Sequence, residues 1–462
     1  MNQTATLLQH ADIENLQKTL KGSVLLPSDN GYDQARKVYN AMIDKHPALL
    51  VRCTDVADVQ AALQFAKENH LIVAVRGGGH NGGGLGICDD GMVIDLSAIK
   101  YVRVDPAQKT VRVGGGSLLG EMDHATHAFG LAVPAGVVSS TGIGGLTLGG
   151  GIGYLSRKGG LTIDNLLEAD MVLADGSFVT VNEQQMPDLF WAIRGGGGNF
   201  GIVTSFLFRA HEVDMVYGGV TLWPIENAVE IMGWYDQFLD SAPVELGGFI
   251  AALEIPGPPF PGSLHHKKFC GIVWCYSGDL DKVDEIFKPV REKQPVFEHL
   301  DKMPFPAIQA MFDGLFPPGL QWYWKADFFK EFTPELCREV KRFGALIPTP
   351  LSQIHLYPLK GAVSEVGNSK TPWGHRDAKY AGVIIGVDPD PDNNERMIEW
   401  CRDFWEAMHP YASGGSYLNF EMSSQGDERV KSSYGQNYER LLEIKRRYDP
   451  DNFFSINQNI RP

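Results

Sequence analysis

The stretch from Val75 to Gly84, VRGGGHNGGG, puts six glycines in ten residues around one histidine, His80. Glycine in a helix or strand interior costs roughly 0.5–1 kcal/mol relative to alanine. So dense a run therefore has to be loop. It follows the apolar run Leu71-Ile72-Val73-Ala74-Val75, which reads as a strand. A strand that runs into bare backbone can aim several N–H groups at one point. Such a nest binds phosphate oxygens, and no Cβ keeps the ligand away. The spacing is not the dinucleotide fingerprint, because a strand (92–95), not a helix, follows the glycines. Taken alone, the loop is equally compatible with a turn that binds nothing.

Further clusters at 114–120, 142–153 and 195–201 hold many of the 52 glycines, without period. Around them the chain alternates helix and strand. TDVADVQAALQFAKEN reads as a helix over 54–69 capped by Thr54, with Val56, Val59, Ala62, Leu63 and Ala66 on one face. Strands are expected at 71–75, 92–95, 101–104, 110–113, 169–173 and 178–181, and a helix at 118–129. After His211 the clusters cease and proline becomes frequent. Strands at 217–223, 247–253, 269–276, 322–328, 353–357 and 380–386 alternate with helices at 225–239, 280–290, 333–345 and 392–409. This pattern predicts an antiparallel sheet covered by helices. The fold class is α+β, divided into 1–212, 213–410 and a C-terminal segment 411–462.

Composition narrows the function. The 462 residues are 44% hydrophobic, enough for about two or three domains. A net charge of −15 without basic clusters argues against nucleic acid and anionic membrane surfaces as partners. The six cysteines form no CxxC or zinc-like spacing, so no metal site is expected. The first twenty residues lack a basic start followed by an apolar core, and no run approaches the roughly 20 apolar residues of a membrane span. A cytoplasmic protein is the expectation.

Five blocks together carry a resemblance: PALLVRCTDVADVQAALQFAKENHLIVAVRGGGHNGGG, DGMVIDLS, GIGGLTLGGGIGYLSRKGGLTIDNLLEADMVLADG, DLFWAIRGGGGNFGIVTSF and YGQNYERLLEIKRRYDPDNFFSINQNI. In this order the chain resembles the vanillyl-alcohol-oxidase superfamily of PCMH-type FAD-linked oxidoreductases, in its berberine-bridge-enzyme-like branch. It is most similar to the bacterial hydroxynicotine-oxidase-like and enterocin-flavoenzyme-like members. The resemblance implies a PCMH-type FAD-binding domain over 1–212, a substrate domain over 213–410, and a C-terminal segment that returns to the first domain. It also implies FAD as cofactor, bonded covalently through His80.

Other positions follow from the same match. Arg76, Gly77, Gly78, Gly79 and Asn81 belong to the pyrophosphate loop. Gly144, Gly145, Gly149, Gly150 and Gly153 line the second loop, followed by Asp164 and Asn165. Gly201, Ile202 and Val203 meet the adenosine side, and Tyr417, Asn419, Asn457 and Asn459 lie near the flavin edge. Many members add a cysteine bond in a Gly-Thr-Cys-Pro block. Here that block is Gly136-Val137-Val138-Ser139, so a single covalent link is expected.

The implied activity is oxidation of a small-molecule alcohol or amine, with hydride passing to the flavin and molecular oxygen reoxidising it to H2O2. Alternatives are a carbohydrate oxidase acting at an anomeric hydroxyl, a tailoring or cyclising enzyme of secondary metabolism, and a flavin-binding protein with little turnover. Tyr417 is the first candidate base, provided its pKa is lowered; Glu365 is the second, and Thr141 is placed to reach the flavin N5 region. Two departures stand out. Lys158-Gly159-Gly160 lacks an aromatic that would wall the pocket, and Phe420 replaces a tyrosine. Trp322, Tyr323 and Trp324 are either pocket wall or core.

Overall fold

The computed structural model describes residue 8 and residues 10–422 and 426–462. The expectation of no secretory leader falls partly on residues 1–7 and 9, outside the described residues. Three main sheets organise the chain.

The first has four strands in the order Ser23–Leu25, Leu49–Arg52, Met92–Asp95, Val73–Arg76. Leu49–Arg52 and Val73–Arg76 both pair in parallel with Met92–Asp95. The helix Val56–Glu68 makes the crossover between them, burying Val59, Ala62, Leu63 and Ala66 on one face. Its cap is Asp55, whose carboxylate accepts from Asp58 N–H, and not Thr54 as expected. Thr54 instead donates to the buried Asp58. The glycine loop leaves the C-terminal end of Val73–Arg76, where open parallel sheets place their ligands.

The second sheet is antiparallel, in the order Val102–Asp105, Thr110–Gly114, Ile202–Arg209, Leu166–Val172, Phe178–Asn182. The third has seven antiparallel strands, ordered Phe297–Pro304, Met215–Pro224, Lys268–Tyr276, Leu246–Glu254, Gln353–Pro358, Tyr380–Asp388, Gln321–Phe329. The edge strand Phe297–Pro304 is absent from the reading above. Its sequence, FEHLDKMP, is half exposed and charged, so it lacks the apolar alternation of a two-sided strand.

Alternation divides the large sheet into two faces. Ile250, Ile272, Trp274, Ile354, Leu356 and Ile384 meet the helices Ala228–Ser241, Val283–Glu292, Pro334–Gly344 and Asn394–Met408. Val220, Phe249, Ala251, Val273, Trp322, Tyr357, Val383 and Ile385 point the other way. The C-terminal helix Tyr438–Tyr448 packs on Pro187–Ile193 of the first half. There Lys445, fully buried, donates to Asn199 O, Phe454 O and the equally buried Asp449. No helix among the described residues is long and apolar enough to cross a membrane.

Candidate active site

A cavity of about 390 Å³ runs from the glycine loop to the inner face of the seven-stranded sheet. That volume lies within the usual range of ligand sites, roughly 300–1,000 Å³. One wall is bare backbone. Arg76 to Asn81, Thr141, Gly144, Gly145, Gly149, Gly201, Ile202 and Val203 all line it, together with Gly197 and Gly198. Gly78 lies against Gly142; a Cβ there would sit 2.6 Å from the Gly142 nitrogen. Gly145 and Gly198 have open space where a side chain would be, so their backbones face the cavity directly.

The polar atoms on this wall are incompletely paired. Arg76 gives Nη2 to Asp95 at 2.8 Å, while its buried Nη1 has no partner in the protein. Asn457 donates Nδ2 to Gly198 O and Phe454 O, and its buried Oδ1 is likewise unpaired. A guanidinium N–H, a carboxamide oxygen and glycine backbone without Cβ obstruction form a donor and acceptor set that fits a dinucleotide.

His80 sits at the turn between the two walls and is half-buried. Its ring stacks on Tyr39 with centroids 3.6 Å apart, and its Nε2 lies 3.0 Å from Ser140 Oγ. Burial with no compensating charge pulls its pKa down to about 3, so the ring is neutral at neutral pH. Val138 lines the cavity, and none of the six buried cysteines does.

The sheet wall is aromatic and apolar. Val220, Phe249, Ala251, Leu253, Val273, Trp322, Trp324, Val383 and Ile385 line it, and its polar side chains are Gln353, His355 and Tyr357 on one strand and Glu254 at the end of the neighbouring strand. Trp322 and Trp324 therefore wall the cavity, while Tyr323 alternates to the helix face and meets Arg402. A segment spanning Phe312, Leu315 and Phe316 closes one side. Asp313 within it accepts from Ser139 N–H at 3.1 Å and also bonds Ser139 Oγ, next to the partner of His80.

Tyr417 and Asn419 lie on the wall as expected of cavity residues. Tyr417 Oη accepts from Gly151 N–H and from Asn419 Nδ2, each at 2.7 Å. The expected lowering of its pKa does not occur. Burial outweighs these donors and pushes it up to about 12. Two cavity residues escaped the sequence reading: His355 Nδ1 and Tyr357 Oη are 2.8 Å apart, both buried. Burial pulls His355 down to about 3 and pushes Tyr357 up. Their i, i+2 spacing in an inward-facing strand was the available signal, but nothing in QIHLYP alone says which face is inward.

Other expected positions are corrected. Glu365 is exposed, at the end of the one-turn helix Ala362–Glu365, and does not line the cavity. It lies beyond the inward-facing strand Gln353–Pro358, so it cannot present its carboxylate there. Asp164 is held by a two-point ion pair with the Arg376 guanidinium, at 2.7 Å on each oxygen. Asn165 bonds Gly159 O, Leu161 O and His211. Gly150 packs between Trp373 and Tyr417, and Gly153 lies against Ala135 O. Asn459 has a buried, unpaired Oδ1 but lies off the cavity wall. None of these five positions lines the cavity. Among the described residues, no group of His, Cys, Asp or Glu is placed to hold a metal ion.

The nest, the histidine beside it and the enclosed aromatic wall define a flavin-dinucleotide-binding oxidoreductase of α+β fold. Residues 47–182 match the FAD binding domain model, and residues 416–461 match the berberine and berberine-like model. An FAD-linked oxidoreductase of Dictyostelium discoideum is 32% identical over 453 residues, covering 96% of each chain. (R)-6-hydroxynicotine oxidase of Paenarthrobacter nicotinovorans is 28% identical over 464 residues, 96% of this chain and 97% of its own. The crystal structure of 6-hydroxy-D-nicotine oxidase from Arthrobacter nicotinovorans superposes with a TM-score of 0.85 at 26% identity, covering 96% and 98% of the two chains. Glucooligosaccharide oxidase from Acremonium strictum, whose FAD is 6-S-cysteinyl and 8α-N1-histidyl, shares the fold (TM-score 0.85, 22% identity, 98% and 99% covered). The chain belongs to the FAD-linked oxidoreductases, in their berberine-bridge-enzyme-like branch.

Proposed function

We propose that this FAD-dependent enzyme is an oxidase that takes hydride from an alcohol or amine carbon of a small, largely apolar molecule and passes the electrons to molecular oxygen. The observation that carries the reading is one continuous cavity, with a glycine backbone suited to phosphate on one wall, an aromatic sheet on the other, and His80 where they meet. Bound FAD supplies the hydride acceptor; the residues bind, orient and move protons.

His80 is the attachment point, and the attachment is single because Val138 offers no thiol. Arg76, Asn457 and the glycines from 77 to 79 and at 145 and 198 hold the dinucleotide. The sheet wall buries the apolar body of the substrate and excludes water. Its one carboxylate is Glu254, already paired with His266, and no cation lies on it, which disfavours the carbohydrate alternative, since sugar hydroxyls left without partners cost roughly 1–3 kcal/mol each.

The proton acceptor is assigned to the Tyr357–His355 couple. Tyr357 O–H donates to the neutral ring nitrogen, so a substrate O–H or N–H bonding to Tyr357 Oη has a route to His355. Tyr417 is retained as an orienting group: its oxygen already accepts two N–H bonds, leaving its own proton free to hold a substrate oxygen. Thr141, on the wall beside Gly142, is proposed to face the flavin N5 region. The division into 1–212, 213–410 and 411–462 and a cytoplasmic location belong to the same reading.

Anaerobic mixing with alcohols, amines, phenolics and sugars should bleach the flavin with substrate, and readmitted air should restore it with one H2O2 per turnover. A flavin that no candidate bleaches but dithionite reduces would leave a binding protein. A substrate-reduced flavin that stays bleached after air is readmitted would remove oxygen as the acceptor. Acid precipitation should leave the pellet yellow, with flavin on the His80 peptide and on no cysteine peptide.

A further inference from the structure

We propose that Tyr39 and Ser140 are the positioning residues of flavin attachment: they hold the His80 imidazole with Nδ1 free and stabilise the positive charge that the ring acquires as its bond to the flavin forms. The proposal rests on the reading of His80 as the attachment point.

A neutral imidazole carries one N–H and one lone pair, and the hydrogen bond at one nitrogen fixes the other. Nε2 lies 3.0 Å from Ser140 Oγ. A serine hydroxyl can accept or donate; in the tautomer competent for attachment it accepts from Nε2–H, which leaves the lone pair, and so the nucleophile, on Nδ1. The net step is a balanced oxidation. An Nδ1–C bond forms at the flavin 8α carbon, and one C–H bond of that carbon breaks. The imidazole gives up its N–H proton, two electrons enter the flavin ring system, and dioxygen then removes them with two protons as H2O2.

As the N–C bond forms, the ring becomes cationic before it loses the Nε2 proton. No carboxylate contacts it, and burial alone makes the charge costly, in keeping with its depressed pKa. Two neighbours answer that cost. The bond to Ser140 becomes charge-assisted, and such bonds are about twice as strong as neutral ones. The Tyr39 ring lies face to face with the imidazole, 3.6 Å between centroids and 22° from parallel, where a π-face attracts a cation.

Both neighbours are themselves fixed. Tyr39 N–H donates to Gly79 O, beside His80, and Tyr39 O–H donates to Phe316 O. Ser139, next to Ser140, is gripped by Asp313. The two sides of the cage are thus anchored on one segment, 313–316, far along the chain.

The test follows attachment, not turnover. Full-length apoprotein is mixed with FAD, and the covalent fraction is read against time in acid-precipitated pellets. Free binding is read separately by flavin fluorescence. Ser140→Ala and Tyr39→Leu should each slow attachment about 10-fold or more while still binding FAD. Ser140→Thr, which keeps the acceptor oxygen, and Tyr39→Phe, which keeps the ring, should restore it to within about 3-fold of wild type. Peptide mapping should find the link at Nδ1. Wild-type rates in both Ser140→Ala and Tyr39→Leu, or a link through Nε2, would overturn the proposal. A colourless wild-type pellet would instead overturn the underlying reading of His80, and the proposal with it. If Ser140→Ala or Tyr39→Leu binds no FAD, the conservative pair decides: slow attachment in Ser140→Thr and Tyr39→Phe despite normal binding refutes the roles assigned.

Discussion

Replacing His355 with glutamine isolates proton acceptance from packing. The glutamine Oε1 can still accept the Tyr357 O–H bond, now 2.8 Å long to His355 Nδ1, but it cannot take up a proton. Folding should change by no more than about 1 kcal/mol. His355→Leu, by contrast, leaves the buried Tyr357 hydroxyl without its acceptor and should cost about 1–3 kcal/mol. A general base contributes roughly 10²–10⁴-fold, so the rate of anaerobic flavin reduction in His355→Gln should fall by that factor. Stopped-flow absorbance under saturating substrate reads it directly.

The pH dependence carries a second check. His355 must be neutral to accept a proton, and burial pulls its pKa from the usual 6.5 down to about 3. The wild-type reduction rate should therefore stay flat as pH falls through 6.5 and decline only toward pH 3–4. Stability follows the same sign. A group whose folded pKa is depressed contributes fully above its unfolded value, and the contribution is lost as pH falls from 6.5 toward 3. At about 1.4 kcal/mol per pH unit, that window spans several kcal/mol, so His355→Gln should unfold at a lower pH than wild type. A glutamine variant that reduces the flavin at the wild-type rate would refute the assignment. So would an acid limb centred near pH 6.5 that disappears with His355.

Tyr417→Phe should keep its flavin and raise KM more than it lowers kcat, because an orienting hydroxyl is lost and not the proton acceptor; steady-state kinetics would show the opposite split if Tyr417 were the base. The same change strands the Gly151 N–H, while Asn419 keeps its bond to Leu146 O, so the melting temperature should drop by the equivalent of about 1–3 kcal/mol. Lys445→Met leaves Asp449 as an uncompensated buried carboxylate and should destabilise by about 3–5 kcal/mol in denaturant titration. A cost under 1 kcal/mol would mean that the Phe453 and Phe454 N–H groups suffice for Asp449.

Much of the fold was legible because its elements are locally encoded. The helix Val56–Glu68 shows its 3.6-residue period, and the strands of the large sheet show alternation or apolar runs within their own few residues. Where that code is weak the reading failed. Phe297–Pro304 is an edge strand, and its partner on one side is solvent rather than a second strand. The helix cap moved from Thr54 to Asp55 because choosing between adjacent capping residues depends on one turn of backbone.

The glycine loop shows bare backbone after a strand with His80 as its one reactive side chain, but the structure divides it: Gly77, Gly78 and Gly79 line the cavity, while Gly82 packs against Trp324 and Gly84 against Ile43. What the sequence could not decide was which residues face His80 and which face the substrate. Tyr39 and Ser140, 41 and 60 positions from His80, contact its ring, and Asp313, 233 positions away, grips the adjacent Ser139; tertiary structure alone brings them together. Glu365 and His355 both carry plausible chemistry, ten positions apart. Tertiary structure alone turns His355 into the cavity and leaves Glu365 in water, since a strand's inward face is defined only by what packs against it. The pKa of Tyr417 was decided in the same way. Its two N–H donors pull downward, and the burial imposed by the closed cavity pushes further up.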